Sequence, residues 1–200
     1  MKKTVAILDY KVGNIKSIIN ALSHYGVDVR VTADHHEILK SNAVVLPGVG
    51  SFAHGMKNLK TLELDKVLYE YVFTNRPIMG ICLGMQLLMD KSCEFGETTG
   101  LGLIPGNVEK LKLEEGCSLP HIGWEETQLP NNEKKDYFFC HSYVVVPRYD
   151  ENILATSQYG SQKFCAAVRK RNITGFQFHP EKSGPNGLQL IEQFITTVEL

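Results

Sequence analysis

Two side chains in this sequence stand where chemistry can be built, Cys82 and His179. Cys82 lies in Gly80-Ile81-Cys82-Leu83-Gly84, with a glycine two residues away on either side. Apolar Ile78, Met79 and Ile81 precede it, and the good helix formers Met85, Leu87, Leu88 and Met89 follow. The cysteine therefore falls in a turn between a buried strand and a helix. Glycines at those offsets permit a sharp elbow that presents the thiol, and peptide dipoles at a helix N-terminus favour the thiolate, the attacking form. The same residues also suit a small cysteine packed at a glycine-lined strand end, and the elbow alone leaves both readings open.

His179 follows the strand-like Gly175-Phe176-Gln177-Phe178 and precedes Pro180-Glu181. Proline prevents the strand from continuing, and a carboxylate two residues on can orient the imidazole as a general base. His24, His35, His36 and His54 have no comparable context. An elbow cysteine and a His-x-Glu at separate strand ends predict a triad in which His179 takes the proton of Cys82 and Glu181 fixes the tautomer. A third stretch, Pro47-Gly48-Val49-Gly50, brackets Val49 with glycines that free N–H groups to face an oxyanion. Taken alone it reads more readily as a plain turn.

The elements that must position these residues alternate in period. Thr4 to Asp9 reads as a buried strand, Ile15 to Leu22 as a helix stopped by Gly26, and Val27 to Val31 as a second strand. Asp34 is placed to cap a short helix through Lys40, Ala43 to Leu46 forms a third strand, and Leu64 to Val72 a longer helix. This alternation predicts an α/β fold, a mainly parallel sheet covered on both faces, with the site at the carboxyl ends of its strands. Asp9 to Asn14 and Pro47 to Phe52 are the loops at two such ends. Beyond Met89 the chain turns β-rich, with strands expected over Val108 to Leu113, Tyr137 to Val146, Phe164 to Arg169 and Ile173 to Phe178. The polar stretch Glu125 to Asp136 reads as a surface loop, and Leu188, Ile191, Phe194 and Ile195 as a closing amphipathic helix.

Two hundred residues without a linker or internal repeat predict one domain over 1–200. A net charge of -1 gives no footprint for nucleic acid, and no apolar run reaches the roughly 20 residues of a membrane helix. Val5 to Leu8 is too short for a secretory signal, so a cytoplasmic protein is expected. Five cysteines at irregular spacing fit neither a disulfide framework nor a metal site, and no cofactor is expected.

Five segments together carry a resemblance: Pro47-Gly48-Val49-Gly50, Gly80 to Gln86, Pro120-His121-Ile122-Gly123-Trp124, His141-Ser142-Tyr143, and Phe178 to Ser183. Across nearly the whole chain the sequence resembles the class I glutamine amidotransferases, and within them the glutaminase subunits of imidazole glycerol phosphate synthase. The resemblance implies a three-layer α/β/α fold, hydrolysis of glutamine to glutamate and ammonia, and a heterodimer with a HisF-like cyclase barrel that uses the ammonia. It implies Cys82 as nucleophile, His179 as base and acid, Glu181 as the orienting carboxylate, and an oxyanion hole from Val49, Gly50 and Leu83. Gly48, Gln86, Glu94, Ser142 and Tyr143 would hold the two ends of glutamine, and Trp124, Glu125 and Lys182 would face the partner.

Three positions depart from that pattern: Lys11 for a usual Gly, Glu125 for Asn, and Phe138 for Tyr. None touches the triad. They point to the partner, and leave a second assignment, a glutaminase feeding a nucleotide-sugar amidotransferase in surface glycan synthesis. On that reading Glu125 meets a cationic or hydrogen-donating group of the partner. A cysteine hydrolase acting alone is a further alternative.

Overall fold

Helix and strand alternate through the first half as the periodicity requires. In this computed structural model, which describes residues 2–13, 15–112 and 116–198, the strands β1 (Thr4–Leu8), β2 (Asp28–Thr32), β3 (Ala43–Leu46) and β4 (Ile78–Ile81) are separated by helices. These are α1 (Lys16–Ser23), α2 (His35–Lys40), α3 (Phe52–Thr61) and α4 (Leu64–Val72), with α5 (Leu83–Leu87) directly after β4. Asp34 caps α2 as expected: its Oδ1 accepts the Glu37 N–H at 2.8 Å. Of the sequence expectations, Asn14 at the end of one loop and Leu113 at the end of one strand lie outside the described residues.

The second half contributes β5 (Lys91–Ser92), β6 (Thr98–Thr99), β7 (Gly106–Lys110), β8 (His121–Gln128), β9 (Lys134–His141) and β10 (Tyr143–Pro147). β11 (Ile153–Tyr159), β12 (Gln162–Lys170), β13 (Ile173–Phe176) and α6 (Gly184–Thr196) complete it. The sheet runs β2-β1-β3-β4-β13-β12-β10-β7-β5-β6. Its first five strands are parallel, and from β12 onward the pairing is mostly antiparallel. The β-rich half is thus a continuation of the same sheet.

Two apolar layers fill the space between this sheet and its helices. Ala6, Leu8, Val44 and Leu46 point to one face and pack with Ile38, Met56, Leu59, Leu68 and Leu87 from α2 to α5. Val5, Ile7, Ala43, Val45 and Met79 alternate to the other face, against Ile18, Leu22, Ile191, Phe194 and Ile195 of α1 and α6. The three-layer α/β/α arrangement follows directly from strands that are apolar on both faces. Among the described residues no helix is long and apolar enough to cross a membrane.

The structure corrects the sequence reading in one long stretch. Glu125 to Asp136 is a strand hairpin for most of its length: β8 and β9 pair antiparallel from His121↔His141 to Gln128↔Lys134, leaving only residues 129–133 as connection. The stretch is polar because the hairpin is a ribbon with an exposed face, on which Lys134 and Glu126 pair at 2.7 Å. Smaller differences have local causes. The expected strand Tyr137 to Val146 breaks at Ser142, and α3 and β11 arise where no strong periodicity marked them.

Candidate active site

β4 ends at Ile81 and α5 begins at Leu83, so Cys82 alone makes the turn. Its backbone sits at φ 53, ψ -110, a strained combination for a residue with a side chain, held by its N–H donating to the Phe176 carbonyl at 2.7 Å. Glycine is demanded at the elbow by contact. A Cβ on Gly84 would lie 1.9 Å from the Leu46 carbonyl oxygen, so β3 and the elbow meet backbone to backbone. Gly48 is similarly enclosed: a Cβ there would lie 2.7 Å from the Tyr10 hydroxyl and 2.8 Å from Leu83 Cβ. The PGVG turn is thereby pressed against the nucleophile.

His179 arrives from the adjacent strand, since β13 lies parallel to β4 and Phe176 pairs with Ile81. Its Nδ1–H donates to Glu181 Oε1 at 2.8 Å, and both side chains are buried. Burial by itself would push this imidazole down, but hydrogen bonds to Cys82 and Glu181, with their charges, raise it to about 10. Gln177, fully buried, completes the floor: its Nε2 lies 3.9 Å from the Cys82 sulfur while its Oε1 accepts from Gln86 Nε2 at 3.1 Å. The sequence reading missed Gln177, although its place as the one polar residue between Phe176 and Phe178 was a usable signal.

A cleft of about 260 Å³ opens over Cys82. Val49, Gly50, Leu83, Gln86, Glu94, Ser142, Tyr143, His179 and Lys182 all line it, with Pro120, Cys140 and His141. Gly50 has φ +98, a conformation that suits glycine and turns the loop over the cleft. Glu94 reaches across from the turn after β5, and its Oε2 accepts the Phe52 N–H at 2.6 Å, tying that turn to the start of α3. Gln86 is committed inward, donating to the Tyr143 carbonyl at 2.9 Å as well as to Gln177. Gly48 lies beneath the cleft as a close-packing position.

The residues expected at a partner surface separate. Trp124 is 54% exposed on β8, edge-on to Phe138 with ring centroids 6.1 Å apart. Lys182 lies at the cleft mouth. Glu125 turns inward instead of presenting a free carboxylate: its Oε1 accepts from His121 Nε2 at 3.1 Å. His121 Nδ1 in turn faces His141 Nε2 at 3.4 Å, and His141 Nδ1–H donates to the Tyr143 carbonyl at 3.0 Å. The sequence quoted both histidines in motifs without giving them a role. Lys11 has φ 63, a left-handed conformation that explains why glycine is usual at that position.

The ribbon also holds the histidine loop. The His179 N–H donates to the Phe138 carbonyl at 2.9 Å, and the Phe138 N–H donates to Ser183 Oγ at 3.0 Å. Both bonds use the main chain of Phe138.

The sequence profile described as Glutamine amidotransferase class-I matches residues 6–198. The imidazole glycerol phosphate synthase subunit HisH of Listeria monocytogenes serotype 4a (strain HCC23) is 43% identical over 198 residues, covering 95% of this chain and 94% of the relative. The HisH subunit of Lacticaseibacillus casei (strain BL23) is 40% identical over 199 residues, with 95% and 94% coverage. A crystal structure titled glutamine amidotransferase superposes with TM-score 0.78 at 18% identity, covering 98% of this chain and 99% of its own, a likeness of fold.

Proposed function

This chain belongs to the class I glutamine amidotransferases, and we propose that within them it is the glutaminase subunit of an imidazole glycerol phosphate synthase, supplying ammonia for histidine biosynthesis. The observation that carries the chemistry is His179 hydrogen-bonded to Glu181 in the same cleft as Cys82 at the elbow. The relatives' names carry the partner: both are subunits of that synthase, at 40% and 43% identity.

In the first half-reaction the Cys82 sulfur attacks the side-chain amide carbon of glutamine. Negative charge builds on the former carbonyl oxygen, where N–H groups of Leu83 and of the Val49–Gly50 turn would stabilise it. Collapse breaks the C–N bond, His179 gives its proton to the departing nitrogen, and ammonia leaves a γ-glutamyl thioester. In the second, His179 accepts a proton from water as the oxygen attacks the thioester, glutamate forms and the sulfur is released. Glu181 keeps Nδ1–H engaged throughout and stabilises the imidazolium, so Nε2 faces the sulfur. Glu94, with Gln86, Ser142 and Tyr143, is assigned to the amino-acid end of the substrate.

Mixing the purified chain with a HisF-like cyclase subunit and following glutamate release tests the reading. Stimulated hydrolysis coupled to imidazole glycerol phosphate formation is expected. Glutaminase stimulation by a nucleotide-sugar amidotransferase, with none by the cyclase, would transfer the chain to the other assignment. Glu125 no longer argues for that assignment, because its hydrogen-bond donor is His121 of the same chain.

A further inference from the structure

We propose that Glu125 and His121 hold an exchangeable proton that positions the His141–Tyr143 wall of the cleft, making both positioning residues for glutamine binding. The chain Glu125–His121–His141–Tyr143 contains three contacts, at 3.1, 3.4 and 3.0 Å. Its two ends, a carboxylate oxygen and a carbonyl oxygen, only accept, so each contact requires one hydrogen from a ring nitrogen. Three contacts require three, whereas two neutral imidazoles provide two. The chain is complete only when a third proton is present, and with Glu125 as a carboxylate that proton makes His121 an imidazolium.

Without that proton one contact must open, and the geometry selects which. Glu125 retains the His121 Nε2–H because a charged acceptor makes the stronger bond. The Tyr143 carbonyl, an obligate acceptor, retains His141 Nδ1–H. The histidine–histidine contact, the longest of the three, is left with two bare nitrogens facing each other and separates. His141 and Tyr143 line the cleft, and the Tyr143 carbonyl also receives Gln86 Nε2, so the proton's arrival braces one wall of the substrate site.

The surrounding groups allow this proton to come and go. Burial lowers the affinity of His121 for it, while the hydrogen bond and charge of Glu125 act in the opposite direction, the net being a value below the usual 6.5. His141 stays neutral well below that, held to about 3 by burial and then by His121. From β9, Tyr137 is cross-strand to Glu125, and from β11 the Tyr159 ring stacks on His121 at 4.0 Å. His179, in the same cleft as His141, adds its charge to what lowers that ring, and at about 10 it stays charged across the window in the native chain. An asparagine at position 125 would need no such proton, since its amide N–H can itself donate to His121 Nε2. Glutamate there converts a fixed brace into a titrating one.

The effect on glutamine rests on the glutaminase reading, so the test has two arms. In the first, nitrogen NMR of the histidine rings in the full-length chain follows His121 from pH 8 to pH 5. It should gain its second ring proton with a midpoint below 6.5, and in Glu125→Gln it should remain neutral with Nδ1 protonated. In the second, glutamine affinity of the Cys82→Ser chain is measured by calorimetry over the same range. Relative to the Cys82→Ser chain that also carries Glu125→Gln, the reference for any titration of His179 once the sulfur is gone, binding should tighten about 3- to 10-fold on acidification, the worth of one hydrogen bond. An unvarying His121 ring, or the same titration in Glu125→Gln, overturns the proposal. Ring titration as expected with no glutamine binding at any pH keeps the proton pair and instead refutes the substrate.

Discussion

The parallel half of the sheet and its antiparallel half solve different problems. On the parallel side, β3, β4 and β13 deliver the PGVG turn, Cys82 and His179 to one edge, and contact is so close that glycine alone fits at Gly84. On the antiparallel side, β9 and β10 provide the cleft wall His141-Ser142-Tyr143, and the β8–β9 ribbon stands out from it with Ile122 and Trp124 exposed. The first half places reacting atoms by backbone interlock. The second shapes access to them with side chains that have room to vary.

The sharpest break of this contrast is at the sulfur. Cys82→Ala should reduce glutamine hydrolysis on the order of 10⁴-fold or more, with fold and partner affinity kept, as measured by glutamate release and by titration with the partner. His179→Ala should cost nearly as much, and Glu181→Gln clearly less, because the carboxylate orients the imidazole and transfers no proton itself. The reverse order in kcat would mean that the roles of His179 and Glu181 are misassigned.

Next in size are effects on stability. Gly84→Ala must displace the Leu46 carbonyl, and chemical denaturation should show a loss of about 3 kcal/mol together with lost activity. The two buried histidines then set opposite pH dependences. His179 is raised to about 10 in the folded chain, so its contribution is complete below the ordinary 6.5 and is lost as pH rises through about 10. His141 is lowered to about 3, so its contribution is present above 6.5 and disappears as pH falls toward about 3, on the order of several kcal/mol. Urea melts from pH 8 to pH 4 should show this acid loss in the native chain and a shallower one in His141→Gln; equal slopes would exclude His141 as the cause. Smallest is the ribbon's outer face. Lys134→Ala removes an exposed pair with Glu126 and should change stability by about 0.2–1 kcal/mol, with glutaminase activity intact.

The same contrast explains what was legible in the sequence. Buried parallel strands announce themselves as short apolar runs, so β1, β3 and β4 lay where they were expected, and the elbow and His179 could be placed at their ends. A ribbon with an exposed face carries Glu and Gln on one strand and Lys and Asp on the other, and that composition imitates a loop; its register becomes visible only once His121 is seen opposite His141. The donor to Glu125 was hidden for a related reason. The resemblance placed this residue toward the partner and gave no sign of His121, four residues back on the same strand. Such a contact depends on strand twist and rotamer, neither of which spacing encodes. Gln177 was overlooked because its work, spanning Cys82 and Gln86, is a relation between three distant segments.

The two hydrogen bonds by which the ribbon grips the histidine loop come from the main chain of Phe138, one through its carbonyl and one through its N–H. A main-chain grip is blind to the letter at the position. The outward side of this ribbon, the Phe138 side chain included, can therefore change without releasing either bond, and the imidazole stays where the sulfur needs it.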